Sequence, residues 1–294
     1  MDDTPADPPS PPSALERALR RDRYISALAL AALCIAAWAY LISGAGMGVA
    51  AWRMTSLGLP PTAAADSQPA MAGMGAMSAA SGGMAAPSTQ TIGPALLLAT
   101  MWFSMMVAMM APSAAPMVLL YARVARSAVA ASPDRPLAST GCFVAGYLAV
   151  WLAFAIIAAG LQDGFARLAW ISRETMGARS RWFAAAMLLL AGLYQLSTLQ
   201  QICLRHCRSP ALFLAREYRP GVVGALRLGV VHGAYCVGCC WLLMALLFVG
   251  GVMNLIWIVG LTVLVVAEKI LPAGRWIGRA TGVGLIVAAA VVVA

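Results

Sequence analysis

Residues 224–250 read GALRLGVVHGAYCVGCCWLLMALLFVG. A membrane-spanning helix needs about 20 consecutive apolar residues, and this run supplies them. Its middle nevertheless carries His232, Cys236, Cys239 and Cys240. Polar and ionisable groups inside a membrane segment are uncommon and mark functional positions. At about 100° per residue, Cys236 falls one turn beyond His232 and Cys239 nearly two turns beyond, within a narrow sector. Cys240 lies on the flank of that sector. Three thiols and an imidazole suit a soft metal ion or redox chemistry inside a bundle. The competing reading is that cysteine is simply a small buried apolar residue in a tightly packed helix. Gly229, Gly233 and Gly238 support such packing.

Composition agrees with a membrane fold. The chain is 62% hydrophobic and 11% charged, with a mean hydropathy of +0.82. Soluble domains carry about 25% charged residues. The expected fold class is all-α, a polytopic transmembrane helix bundle. The formal charge of +9 is almost all arginine, with Lys269 the only lysine. On such a chain basic charge speaks of orientation in the bilayer, not of nucleic acid. Arginine in place of lysine, with abundant alanine, points to a GC-rich bacterial genome. The first apolar segment is long, follows a basic flank and lacks a signal-peptide cleavage pattern, so it reads as a retained span. None of the seven cysteines falls in a segment expected outside the cytoplasm, so reduced thiols are the expectation.

Spans are expected near 24–43, 94–121, 140–161, 182–199, 224–250, 252–270 and 276–294, about seven in all. The domains follow: a disordered cytoplasmic tail at 1–22, a first transmembrane helix at 23–44, a flexible Met-rich outer loop at 45–93, and a transmembrane helical metal-binding domain at 94–294. With the N-terminus inside, only Arg53, Arg167, Arg173, Arg179 and Arg181 fall in outer segments. The other fifteen of the 20 basic residues fall inside. That bias satisfies the positive-inside rule. The basic stretch 162–181 runs against it and is expected to fold back on the headgroups as an amphipathic segment. The Glu268-Lys269 pair is expected at the membrane interface.

Three further patterns carry sulfur or imidazole. The second span reads TMWFSMMVAMMAPSAAPM, in which Met101, Met105 and Met109 form one stripe and Met106 and Met110 an adjacent one, extended by Met117. Pro112 and Pro116 follow; proline removes a donor and frees the carbonyl one turn back. Methionine also fills gaps between helices well, so packing is the plainer reading. At 1.5 Å per residue, Met105 and Cys236 both fall near mid-membrane, which makes the second and fifth spans expected neighbours with Met105 or Met109 facing Cys236 or Cys239. At the end of the fourth span, Cys203, His206 and Cys207 fall at i, i+3 and i+4 beside Arg205 and Arg208. The outer segment holds Met71, Met74, Met77 and Met84, readable either as a metal-capture segment or as low-complexity filler.

The blocks MWFSMMVAMMAPSAAPM, LYQLSTLQQICLRHCRSP and HGAYCVGCCWLLMALLFVGGVMNLIWIVGLTVLVVAEKILP resemble an uncharacterised bacterial family of predicted metal-binding integral membrane proteins. The resemblance covers much of residues 94–274 and leaves out the tail and the Met-rich loop. It implies metal binding without supplying a reaction.

The expected function is an inner-membrane protein of bacteria that binds and relays or delivers a soft transition metal. Thiolates with thioethers select Cu(I), whereas zinc, the alternative, needs only the thiolates and His232. The expected ligands are His232, Cys236, Cys239, Cys240, Met105 and Met109, with Cys203, His206 and Cys207 as an inner station. Partners are the lipid bilayer and a metal donor or acceptor protein or larger complex. No ATPase phosphorylation motif or nucleotide loop is visible, so an enzyme is not the favoured class. Two other classes stay open: a membrane thiol oxidoreductase using the C-x-x-C pair Cys236 and Cys239, and a non-catalytic subunit or assembly factor.

Overall fold

The computed structural model describes residues 14–46, 50–55, 92–129, 136–172 and 175–294. The described residues are helical apart from turns and one isolated bridge between Ile171 and Ala178. The helices are α1 (Ala14–Ile42), α2 (Ile92–Val129), α3 (Pro136–Arg167), α4 (Arg181–Leu196), α5 (Thr198–Arg208), α6 (Pro210–Glu217), α7 (Gly221–Ala245), the single turn α8 (Leu247–Gly250), α9 (Leu255–Ile270) and α10 (Gly274–Val293). The N-terminal tail before residue 14 and Met71, Met74, Met77 and Met84 of the expected outer loop lie outside the described residues.

Among the described residues, five helices are long and apolar enough to cross a membrane: Tyr24–Ile42, Gly93–Arg126, Ser139–Arg167, Gly221–Gly250 and Gly274–Val293. A sixth appears if α4 and α5, bent by 64° at their junction, count as one broken span. The expected total of about seven is not confirmed. The sixth expected span, 252–270, is α9, with only 16 residues. It ends because Leu271 precedes Pro272, and the residue before a proline is pushed out of the helical region; Leu271 has φ −73° and ψ 144°. The fourth expected span breaks for a different local reason. Ser197 adopts ψ 153° and its hydroxyl accepts from Gln200 N, so it caps a new helix. The S-x-x-Q pattern from Ser197 to Gln200 is the sequence signature of that restart.

Large apolar side chains cover the outside of the bundle, among them Ile35, Ile157 and Val263, all more than 60% exposed. Trp182 and Trp276 lie exposed near opposite ends of the antiparallel pair α4 and α10, each with an arginine over its ring (Arg181 and Arg279). Tryptophan with arginine at both ends of an apolar belt fits a membrane interface. The stretch 162–181, expected to fold back as an amphipathic segment, is described except at 173 and 174. Helix α3 runs on to Arg167, and Ser172 N donates to Gly177 O while Arg179 N donates to Trp170 O. Ile171 and Ala178 are buried there.

Small residues set how closely the helices pack. Helix α3 lies against α7, and a Cβ on Gly229 would stand 2.0 Å from Phe143 O. One on Gly146 would stand 2.3 Å from Leu226 O. The antiparallel pair α4 and α10 repeats the device at Gly192 and Gly282. Without a hydrophobic drive between helices in lipid, such close backbone approach supplies the packing energy. Gly229→Ala is therefore expected to force α3 and α7 apart and cost about 1–3 kcal/mol or more. Gly284→Ala, with open space around it, is expected to be neutral or slightly stabilising. Thermal melting of the two variants in detergent checks the contrast.

The methionine stripes face inward. Met101, Met105, Met106, Met109, Met110 and Met117 are all buried. Pro112 and Pro116 sit inside α2 without ending it. Pro112 leaves the carbonyl of Ala108 without its intrahelical donor, and the Cys34 thiol of α1 donates to that oxygen at 3.8 Å.

Candidate metal centre

Helix α7 presents Cys236, Cys239 and Cys240 to the interior, each at most 2% exposed. The Cys239 and Cys240 thiols donate back to Cys236 O at 3.1 and 3.0 Å, as residues three and four positions on can. Three other helices bring partners to them. From α5, Cys207 places its Sγ 4.0 Å from that of Cys239. From α2, Met110 places its Sδ 3.9 Å from Cys240 Sγ. From α9, Lys269 places its Nζ 3.0 Å from Cys236 Sγ.

The same lysine also donates to Ser113 Oγ at 3.2 Å, and Ser113 Oγ donates to Met110 O at 2.9 Å. The Tyr147 hydroxyl of α3 lies 3.3 Å from Cys236 Sγ and 3.4 Å from Met110 O. Lys269, Ser113, Met110, Tyr147 and Cys236 thus close a polar ring inside an apolar bundle. An ammonium here is the natural counter-charge for a thiolate, since a buried charge needs a partner. The Glu268-Lys269 pair, expected at the interface, is buried in the bundle, the residues being 2% and 8% exposed. The short α9 ends beside Cys236 and brings the Lys269 ammonium to its sulfur. Glu268 accepts from the Gln195 amide of α4.

The second cluster divides. Cys203 packs on α7 at Gly238, where a Cβ would come within 3.0 Å of its sulfur. Cys207 reaches the α7 thiol Cys239, with the sulfurs 4.0 Å apart. His206 is about 100° away from Cys207 around α5. Its ring stacks on Tyr235 with centroids 4.2 Å apart, and its Nδ1 lies 2.9 Å from Ile202 O. It lines an open surface cleft with Arg205, Arg216 and Glu217. His232, one turn before Cys236, is enclosed by the rings of Phe143, Tyr147 and Phe213, and its Nδ1 is buried without a hydrogen-bond partner.

Helices α2 and α7 do meet through side chains, but the thioether at the thiols is Met110. Met105 and Met109 are fully buried farther back along α2. Sequence reasoning passed over Met110 as a ligand and Tyr147 and Ser113 altogether, and it read Lys269 as an interfacial residue and not as a neighbour of the thiols. The available signal was Lys269 itself, a lone lysine at the end of an apolar run, which is functional by default.

Two sulfurs bound to one metal at about 2.3 Å are about 3.8–4.6 Å apart, from tetrahedral to linear geometry. The Cys207–Cys239 and Cys240–Met110 separations of 4.0 and 3.9 Å fall in that range. All seven cysteines are free thiols. Among the described residues, no three His, Cys, Asp or Glu side chains stand as a ready-made metal-holding group. A bound ion would thus draw on sulfur pairs, the donor set that favours low coordination numbers and Cu(I).

A family model described as copper chaperone (PpoB2) matches residues 99–292. No curated protein and no solved structure matches the chain.

Proposed function

Because the chain belongs to the PpoB2 copper chaperone family, we propose that it is a membrane-embedded Cu(I) carrier whose cargo sits among Cys207, Cys236, Cys239, Cys240 and Met110. The observation that carries this reading is the convergence of thiols from α5 and α7 with a thioether from α2 around one buried lysine. Thioethers are neutral and soft, so they add affinity for Cu(I) and little for Zn²⁺. Lys269 balances the thiolate charge, which keeps a site holding a monovalent ion neutral in an apolar interior. His232 Nδ1 and Cys203 are further donors at its margin. Met105, Met106 and Met109 continue the buried thioether line along α2 from Met110 toward the N-terminal end of that helix. In this reading they form the path by which the ion arrives or leaves, and a metal donor or acceptor protein meets the chain at its end.

Met110→Leu conserves volume and apolarity. It is expected to weaken Cu(I) binding about tenfold, ~1.4 kcal/mol, and to leave Zn²⁺ binding unchanged. Chelator competition with each ion on the purified full-length protein tests this. Equal loss for both ions, or for neither, contradicts the assignment of the thioether.

The proposed setting is a bacterial inner membrane with the N-terminus inside, resting on the bias of basic residues. Reporter fusions after Gly75 are expected to respond to the outer compartment and fusions after Leu212 to the cytoplasm. The reverse pattern discards that topology.

A further inference from the structure

We propose that a cleft between the end of α4, α5 and the start of α10 is a binding site for a phosphate-bearing anion, distinct from the thiol site and independent of the copper reading. The cleft has a volume of about 310 Å³, and Gln195, Gln200, Gln201, Arg205, Arg208 and Arg275 stand in its wall. Three arginines line it and no carboxylate does. Its floor includes Gly278, which contributes no side chain to fill the space.

Two buried donors point to an absent acceptor. Gln200 is 1% exposed, yet its amide nitrogen has no hydrogen-bond partner. Arg208 Nη1 is also buried without a partner, although Nη2 of the same side chain donates to Leu271 O at 2.7 Å and Pro272 O at 3.0 Å. Leaving a buried donor unsatisfied costs about 1–3 kcal/mol, and more for a charged one. Glu268 is not among the lining residues; it accepts from Gln195 and lies 3.7 Å from where a Cβ of Gly278 would be.

Helical spacing explains why these donors share the cleft. Gln200, Leu204 and Arg208 recur every four residues on one face of α5, and Gln201 and Arg205 lie beside them. Arginine presents planar paired donors that match phosphate oxygens, and charge-assisted hydrogen bonds of this kind are the stronger ones. Basic clefts between apolar helices bind anionic headgroups by the same chemistry. A glycerophosphate group satisfies the three arginines and the Gln200 amide whether it belongs to a phospholipid or to a soluble phosphate ester.

The test uses the full-length protein in two arms. In the first, delipidated protein in phosphatidylcholine nanodiscs is titrated with glycerol 3-phosphate. In the second, nanodiscs containing phosphatidylglycerol are made, and the lipid retained on the protein is read by native mass spectrometry. Wild type is expected to bind at least one probe saturably. Arg205→Gln with Arg275→Gln, both exposed positions, is expected to weaken that binding at least about tenfold without changing the melting temperature. Gln200→Leu is expected to do the same by removing the buried donor. Retention of phosphatidylglycerol alone identifies a lipid as the source, and binding of glycerol 3-phosphate identifies a soluble ester. Absence of saturable binding in both arms overturns the proposal, and so does equal binding by wild type and the double arginine variant.

Discussion

Lys269→Leu is expected to lower Cu(I) affinity about 10–100-fold and to destabilise the metal-free protein as well. Leucine is apolar like the lysine stem and brings no donor atom for the ion, so the change removes the ammonium without adding a ligand. That ammonium donates to Cys236 Sγ at 3.0 Å and Ser113 Oγ at 3.2 Å. Two effects oppose each other. A fixed cation repels an incoming Cu(I), so its removal helps binding; the same cation compensates the sulfurs, so its removal hurts. The charge count decides between them. Two thiolates and one Cu(I) leave a single negative charge, which Lys269 cancels. Without it a net charge stands in an apolar interior, and removing one member of a buried charge pair costs about 3–5 kcal/mol. Part of that cost appears as lost stability and the rest as lost affinity. Thermal melting of the metal-free variant and Cu(I) chelator competition separate the two. Unchanged values in both would remove Lys269 from the site.

Cys236→Ser with Cys239→Ser is expected to abolish stoichiometric Cu(I) binding while the helix stays folded. Serine is nearly isosteric, and its hydroxyl can make the back-bond to the 236 carbonyl that Cys239 makes at 3.1 Å. As a hard, neutral oxygen it is a poor ligand for a soft ion. Cys207 then loses the sulfur 4.0 Å away, and Lys269 loses its thiolate. The remaining Cys240–Met110 pair holds one thiol and one thioether. The affinity loss is expected to exceed about a hundredfold. The alternative reading of the thiols as packing residues forecasts a different outcome: a shift in melting temperature and no change in copper content.

That His232, Cys236 and Cys239 share a buried sector of α7 was legible in the sequence, because period alone aligns them. The close approach at Gly229, Gly233 and Gly238 was legible for the same reason. Two of the three glycines meet α3 and the third meets Cys203. The inward methionine stripes followed from four-residue spacing. What could not be read was how far each helix runs. The Ser197 cap cuts one expected span, and another begins only at Leu255 after the Asn254 cap, although it ends at Ile270 as expected. Hydropathy placed Lys269 at the interface because it cannot show that the residue is buried beside Cys236. Helix period also could not tell which neighbour turns toward which stripe. Met110 lies 3.9 Å from the Cys240 thiol, and the His206 ring stacks on Tyr235.

X-ray absorption at the copper edge of the Cu(I)-loaded full-length protein tests the central claim most directly. The account predicts a first shell made of sulfur at about 2.3 Å, and its loss in the Cys236→Ser, Cys239→Ser variant. A first shell of nitrogen or oxygen, or an unchanged sulfur shell in that variant, would contradict it.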